Sequence, residues 1–104
     1  MARKAGSKLE RNFQPDLITA IKEEYDGCMV MKLDSGYIQG IPDLLVLHGG
    51  KWAVLECKKE EKAKRQPNQE YYVNKLNDMS FSRFVYPENK DEVLSDLREF
   101  FKGE

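Results

Sequence analysis

Asp43, Glu56 and Lys58 are the residues of this chain whose types and spacing point most directly to chemistry. They lie near the two ends of GIPDLLVLHGGKWAVLECKK, residues 40–59, an apolar run folded about two glycines. Gly49 and Gly50 supply the positive φ that a two-residue hairpin turn requires, and a register that pairs His48 with Lys51 sets Asp43 opposite Glu56. Opposed side chains in an antiparallel pair have Cβ atoms roughly 4.5 to 5.5 Å apart. Both carboxylates then project from one face, and strand alternation adds Lys58 to it. Like charges at that distance destabilise a sheet and raise one pKa unless a cation sits between them. Mg²⁺ or Mn²⁺, held by the two carboxylates, a backbone carbonyl and waters, meets that need. The lysine nearby then has a phosphate or an activated water to attend to. The alternative is an open hairpin end with solvated charges, Lys58 neutralising Glu56, and spacing alone leaves both open. The sheet faces separate them. Leu45, Leu47, Trp52 and Val54 line one, and Leu44, Val46, Ala53, Leu55 and Cys57 the other. A hairpin apolar on both faces is expected to be covered on both, so its charges are not simply solvated.

The flanking elements must position this hairpin. Leu9, Phe13, Leu17, Ile21 and Tyr25 recur every four positions and predict an amphipathic first helix. Pro15 falls inside it, so the helix is expected to kink there or to begin at Pro15. Cys28–Leu33 reads as a strand and DSGYIQGIP as a loop. Leu44–His48 and Lys51–Lys58 form the hairpin. The charged stretch EEKAKRQPN closes with Pro67 and Asn68, after which Gln69–Met79 is expected to be helical, with Tyr72, Val73, Leu76 and Met79 on one side. Phe81–Tyr86 is a further strand stopped by Pro87, and Asp91–Lys102 a closing helix. The order predicts an α/β fold: a mixed central sheet flanked by helices.

At 104 residues and 40% hydrophobic content the chain is expected to form a single domain spanning 1–104. No run approaches the roughly 18 apolar residues of a membrane span, and MARKAGSKLERN has no apolar signal core behind it. An intracellular, cytoplasmic protein is expected, without membrane partners or an organic cofactor. Cys28 and Cys57 fall in strand-like runs and read as reduced, buried thiols rather than a disulfide or zinc site. The net charge of −1 hides an uneven distribution. Arg3, Lys4, Lys8 and Arg11 load the start, Lys58, Lys59, Lys62, Lys64 and Arg65 the middle, and the end turns acidic. Polyanion binding requires the two basic segments to share a face. His48, the one histidine, falls at the hairpin tip, which leaves little basis for a histidine-dependent triad or metal site. Trp52, Tyr71 and Tyr72 are read as packing residues rather than base-stacking ones.

Pro42-Asp43 followed by Glu56-Cys57-Lys58 resembles the PD-(D/E)XK nuclease signature. The wider pattern, from Leu9 to the closing helix, resembles small stand-alone VRR-Nuc domains: an early helical Glu, a GxPD strand, an ExK strand and a Gln-bearing helix. The resemblance implies a restriction-endonuclease-like core with Asp43, Glu56 and the Cys57 backbone carbonyl as ligands of Mg²⁺ or Mn²⁺. It implies that Lys58 orients or deprotonates the attacking water and stabilises charge on the phosphate. Glu10 resembles the family's helical Glu, a ligand reached directly or through water. It lies seven and eleven residues before Leu17 and Ile21, on their inward stripe. Should Pro15 swing that turn away, Glu23 or Glu24 is the fallback. Gln69 matches the family's helical Gln and would bond the lysine, the water or a phosphate; otherwise it is a polar residue near a helix start.

A metal-dependent DNA endonuclease is therefore expected, hydrolysing phosphodiesters by in-line attack of water and leaving 5′-phosphate and 3′-hydroxyl ends. Its small free-standing relatives look like Holliday-junction resolvases, and a two-fold junction needs two nicks. A homodimer on branched or four-way DNA follows, with the first helix and the Phe81–Tyr86 strand as interface candidates and a phage or bacterial origin. Lys8, Arg11, Lys59, Lys62, Lys64 and Arg65 are the expected DNA-backbone contacts. A flap or duplex nuclease of the same chemistry, or a non-catalytic DNA-binding protein on the same fold, are the alternatives.

Overall fold

The computed structural model describes residues 2–103, with side chains from Asn12 onward. In chain order it has α1 (Ala2–Glu24), β1 (Met29–Lys32), β2 (Leu44–His48), β3 (Lys51–Cys57), α2 (Pro67–Met79), β4 (Phe81–Val85), a short 3₁₀ turn (Pro87–Asn89) and α3 (Lys90–Lys102). The sheet runs β1-β2-β3-β4. The first two pairings are antiparallel, while β3 and β4 are parallel, joined across by α2. This is the mixed α/β arrangement that the periodicities predict, with the boundaries of the strands and of α2 and α3 within two residues of expectation and α1 starting well before Leu9. Pro67 opens α2 instead of ending the loop before it, since its missing N–H is one that a first helical turn leaves unpaired anyway.

Pro15 neither starts nor ends a helix: α1 continues through it. Phe13 and Leu17, on either side of the proline, are both buried in one core, and this packing holds the two halves in register despite the lost backbone bond. Phe13, Leu17 and Ile21 from α1, with Tyr25 just after it, meet Val93 and Leu97 of α3 over Leu44, Val46, Ala53, Leu55, Phe81 and Val85 of the sheet. Coverage on two sides is only half realised. α2 packs over β3 and β4 on the opposite face, so Val54 is buried while Leu45, Leu47 and Trp52 are half-buried and Met29 and Met31 exposed. Each face of a strand reports its own polarity; which neighbours a helix reaches is set by where its connections attach. Among the described residues, no helix is long and apolar enough to cross a membrane.

The hairpin tip is fastened to α3. His48 lies 5.2 Å from the Tyr25 ring and 5.4 Å from Phe101. Lys51 Nζ donates to the carbonyl of Phe100 at 2.8 Å and to that of Gly103, two of the carbonyls a helix end leaves unpaired. Lys51→Ala is expected to lower unfolding free energy by about 1.5 kcal/mol in denaturant titration. The site at the far end of the hairpin should be unaffected.

Candidate active site

The β2–β3 ladder runs from His48↔Lys51 to Leu44↔Leu55, around Gly49 and Gly50 with φ of 57° and 83°. Asp43 and Glu56 occupy the next position along that register. Asp43 has left the ladder, however, and its Oδ2 accepts the Cys57 N–H at 3.0 Å. Glu56 points to the α2 side and is 3% exposed. Burial, and next the charge of Asp43, push its carboxyl up to about 7, partly opposed by the Lys58 charge. One oxygen, Oε2, accepts from Gln69 Nε2 at 2.9 Å. The other, Oε1, is buried and has no hydrogen-bond partner among the described residues.

Leaving a buried carboxylate oxygen unpaired is costly, and doing so beside a second carboxylate is doubly so. The donor set fits a hard divalent cation, which takes oxygen ligands from one or two carboxylates and completes its shell with water and substrate phosphate. Among the described residues no group of three His, Cys, Asp or Glu side chains converges on one point. Glu10, the third expected carboxylate, has its side chain outside the described residues. Neither fallback is brought in: Glu23 is exposed, and Glu24 is bound to Arg98 at 2.9 Å on the α1–α3 flank.

Gln69 links the acidic and basic halves of the site. Its Oε1 accepts from Lys58 Nζ at 2.7 Å and from the Gln66 N–H at 3.0 Å, while its Nε2 serves Glu56. An ammonium can only donate and a carboxylate only accept, so the amide oxygen must face Lys58 and the NH2 group Glu56, which fixes which way the side chain points. Lys58 gives a second bond to the Lys64 carbonyl, at 3.1 Å. Two of the three donors of the ammonium are thus used among the described residues, and the third has no partner among them. Lys59, Lys62 and Lys64 are exposed on the following loop, interspersed with Glu60 and Glu61. Arg65 is otherwise engaged: its guanidinium lies 3.8 Å from the centre of the Phe84 ring and 3.6 Å from the Glu70 carboxylate, tying the loop down. The side chains of Lys8 and Arg11 lie outside the described residues.

Three features add to the sequence reading. Cys57 packs on the α1 side, where burial and the Asp43 charge push its thiol up to about 12, partly opposed by a hydrogen bond from Gln14. The thiol is thus an inert core group, and Cys57 serves the site through its backbone. Gln14 lies one helical turn after Glu10, a spacing that could have flagged it. The third is a close contact. Gly40 has φ of 93°, and a Cβ placed there would lie 2.4 Å from the Asn68 Cβ, so this glycine seats the turn before Asp43 directly on the start of α2. Gly40→Ala is expected to cost about 2 kcal/mol in denaturant titration, from the strained φ and the clash together.

The remaining candidates fall outside the site. His48 is enclosed by aromatic rings at the hairpin tip. Trp52 is half-buried, and Tyr71, though 56% exposed, lies edge-on to Tyr72 at 4.9 Å. Both cysteines are unpaired and half-buried.

Among solved structures, that of a VRR_NUC domain is similar to this chain, with a TM-score of 0.59 and 27% identity over 78% of this chain and 92% of that one. No protein-family model and no curated protein matches the sequence.

Proposed function

We propose that this chain, a VRR-Nuc domain with a nuclease-type fold, is a metal-dependent endonuclease that hydrolyses phosphodiesters in branched DNA. The observation that carries the reading is Glu56 Oε1, buried beside Asp43 with no partner among the described residues, with Lys58 tied to the same carboxylate through Gln69. Asp43, Glu56 and the Cys57 carbonyl are the groups that would hold Mg²⁺ or Mn²⁺, with Glu10 the further candidate. When bound, such an ion supplies charge neutralisation at the phosphate and activation of water.

The chain's own residues supply the rest. Lys58 presents its third N–H to the phosphate or to the incoming water, where a positioned cation stabilises charge that develops in the transition state. Gln69 and the Lys64 carbonyl hold that ammonium in place, so no reorganisation is needed as charge builds. Lys59, Lys62 and Lys64 contact the DNA backbone without reading sequence, in a salt-sensitive way. Arg65 supports them by anchoring the loop on Phe84.

Four-way junctions are the favoured substrate, cut as a homodimer because one site per chain makes one nick. The outer edge of β4 is a poor place for strand-to-strand pairing: the Ser82 N–H is taken by Asn77 Oδ1 at 3.1 Å and the Phe84 carbonyl by Asn89 Nδ2 at 3.1 Å. α1 and the β1 edge are better interface candidates. The test is cleavage of labelled four-way junction, flap, linear duplex and single-stranded DNA in Mg²⁺ or Mn²⁺ by the wild type and Glu56→Gln. Paired symmetric nicks in the junction, absent from Glu56→Gln, are expected, together with a dimer mass by light scattering. Equal cutting of flap or duplex would remove the junction assignment and keep the chemistry. Absence of metal-dependent cutting on every substrate would leave a non-catalytic DNA-binding protein.

A further inference from the structure

The turn that leads into Asp43 divides two cavities. On one side Ser35, Gly36, Gln39, Gly40, Gln66 and Gln69 line a polar cavity of about 410 Å³. Because Gln69 is the bridge between Glu56 and Lys58, this cavity opens onto the site. On the other side Leu33, Asp34, Tyr37, Ile38 and Ile41 line an apolar groove of about 470 Å³. The Leu33 N–H donates to the Asp43 carbonyl at 2.8 Å, so the groove is joined to the same aspartate by backbone. Both volumes fall within the range of small-ligand sites.

Tyr37 lines the apolar groove and is 85% exposed. Its backbone is nonetheless fixed. Its N–H bonds the Asp34 carbonyl at 3.1 Å, the Gly36 N–H bonds Asp34 Oδ1 at 2.8 Å, and Gly40 seats the far end of the turn on α2. A large ring held in water on a fixed turn adds little to the core. It is a preformed platform for another flat group.

We propose that this turn reads the nucleotide next to the cut: its base stacks on Tyr37 over the apolar groove, and its sugar and phosphate enter the polar cavity beside Gln69. The inference rests on the endonuclease reading and narrows its substrate to DNA that offers an unstacked base. The linings decide which part goes where. The groove has no cation and one carboxylate, Asp34, so it repels phosphate and suits the apolar face of a base. The cavity has hydroxyl, amide and glycine backbone groups and no carboxylate, so it accepts sugar and phosphate oxygens. In continuous duplex both faces of every base are covered, and exposing one means breaking its stack; the penalty is least where pairing or stacking is already interrupted. A branch point interrupts the stack. Tyr37 therefore favours branched over linear DNA, and because every base has a π-face it does so without sequence preference.

The experiment compares wild type, Tyr37→Ala and Tyr37→Phe for binding, with Ca²⁺ in place of Mg²⁺, to a four-way junction and to a linear duplex of the same sequence. Cleavage of both DNAs in Mg²⁺ is scored in parallel. Tyr37→Ala is expected to weaken junction binding about tenfold and duplex binding less than about twofold, while Tyr37→Phe, which keeps the ring, matches the wild type. Equal effects on both DNAs, no effect on either, or a Tyr37→Phe variant as weak as Tyr37→Ala would each overturn the proposal. Cutting that is indifferent to Tyr37 would keep the nuclease and discard the reader. Tyr37-dependent junction binding without any cutting would do the reverse, and failure to bind either DNA would discard both.

Discussion

Lys58→Met is expected to reduce single-turnover cleavage about 10²- to 10³-fold, the range for removing one positioned group that stabilises transition-state charge. Methionine keeps an unbranched stem in the half-buried position and removes only the ammonium, so folding should survive. DNA binding should fall little, since Lys59, Lys62 and Lys64 remain exposed on the adjoining loop, and the salt slope should drop by about 1. The informative partner is Gln69→Leu, which leaves Lys58 with its Lys64 bond alone. If Gln69 acts by holding Lys58, the single change has a smaller effect than Lys58→Met, and the double variant is no slower than Lys58→Met. Losses that multiply would instead give Gln69 a role of its own, exerted on Glu56 Oε2 or on the substrate. The measurement is a four-variant cycle of single-turnover rates, with circular dichroism to show that each variant is folded.

These residues were legible in the sequence to different degrees, for a physical reason. The hairpin register follows from local rules: two glycines free to take positive φ fix the turn, and strand alternation then sets which residues share a face. Asp43, Glu56 and Lys58 could be brought together on paper because they lie on one supersecondary unit. Gln69 is separated from Glu56 by a loop whose course no periodicity reports, and its placement came only through resemblance. The contact of Gly40 with Asn68 depends on the same loop. Coverage of the sheet was over-read because strand polarity records that a face is apolar and not which helix reaches it; α2, bound to β3 and β4 by its connections, leaves Met29 and Met31 exposed. Of the two expectations for Pro15, a helix that begins there gives way to one that runs through it, since local backbone preference yields to the burial of Phe13 and Leu17 on both sides of it.

Glu56 also makes the metal-free protein sensitive to pH in an unusual direction. A carboxyl raised from its ordinary 4.5 to about 7 binds its proton more tightly folded than unfolded. Its contribution to stability is fully present below about pH 4.5 and is lost as pH rises through about 7. That difference corresponds to at most about 3 kcal/mol. Glu24, whose carboxyl is held low by its hydrogen bond to Arg98, acts on the acid side of this window, and the raised Cys57 thiol and Tyr25 hydroxyl on the alkaline side. Between pH 5 and 8 the decline is therefore expected to belong to Glu56. In EDTA, unfolding free energy from denaturant titration should fall across that interval for the wild type and stay nearly level for Glu56→Gln, whose amide carries no charge to bury. Mg²⁺ or Mn²⁺ should restore the loss at pH 8 and do little at pH 5, because the proton and the cation compete for the same carboxylate. Parallel profiles for the two proteins would mean that water reaches Glu56 freely, removing the reason to place a cation there. A decline in EDTA that millimolar Mg²⁺ or Mn²⁺ leaves unchanged would keep the buried carboxylate and take away its metal.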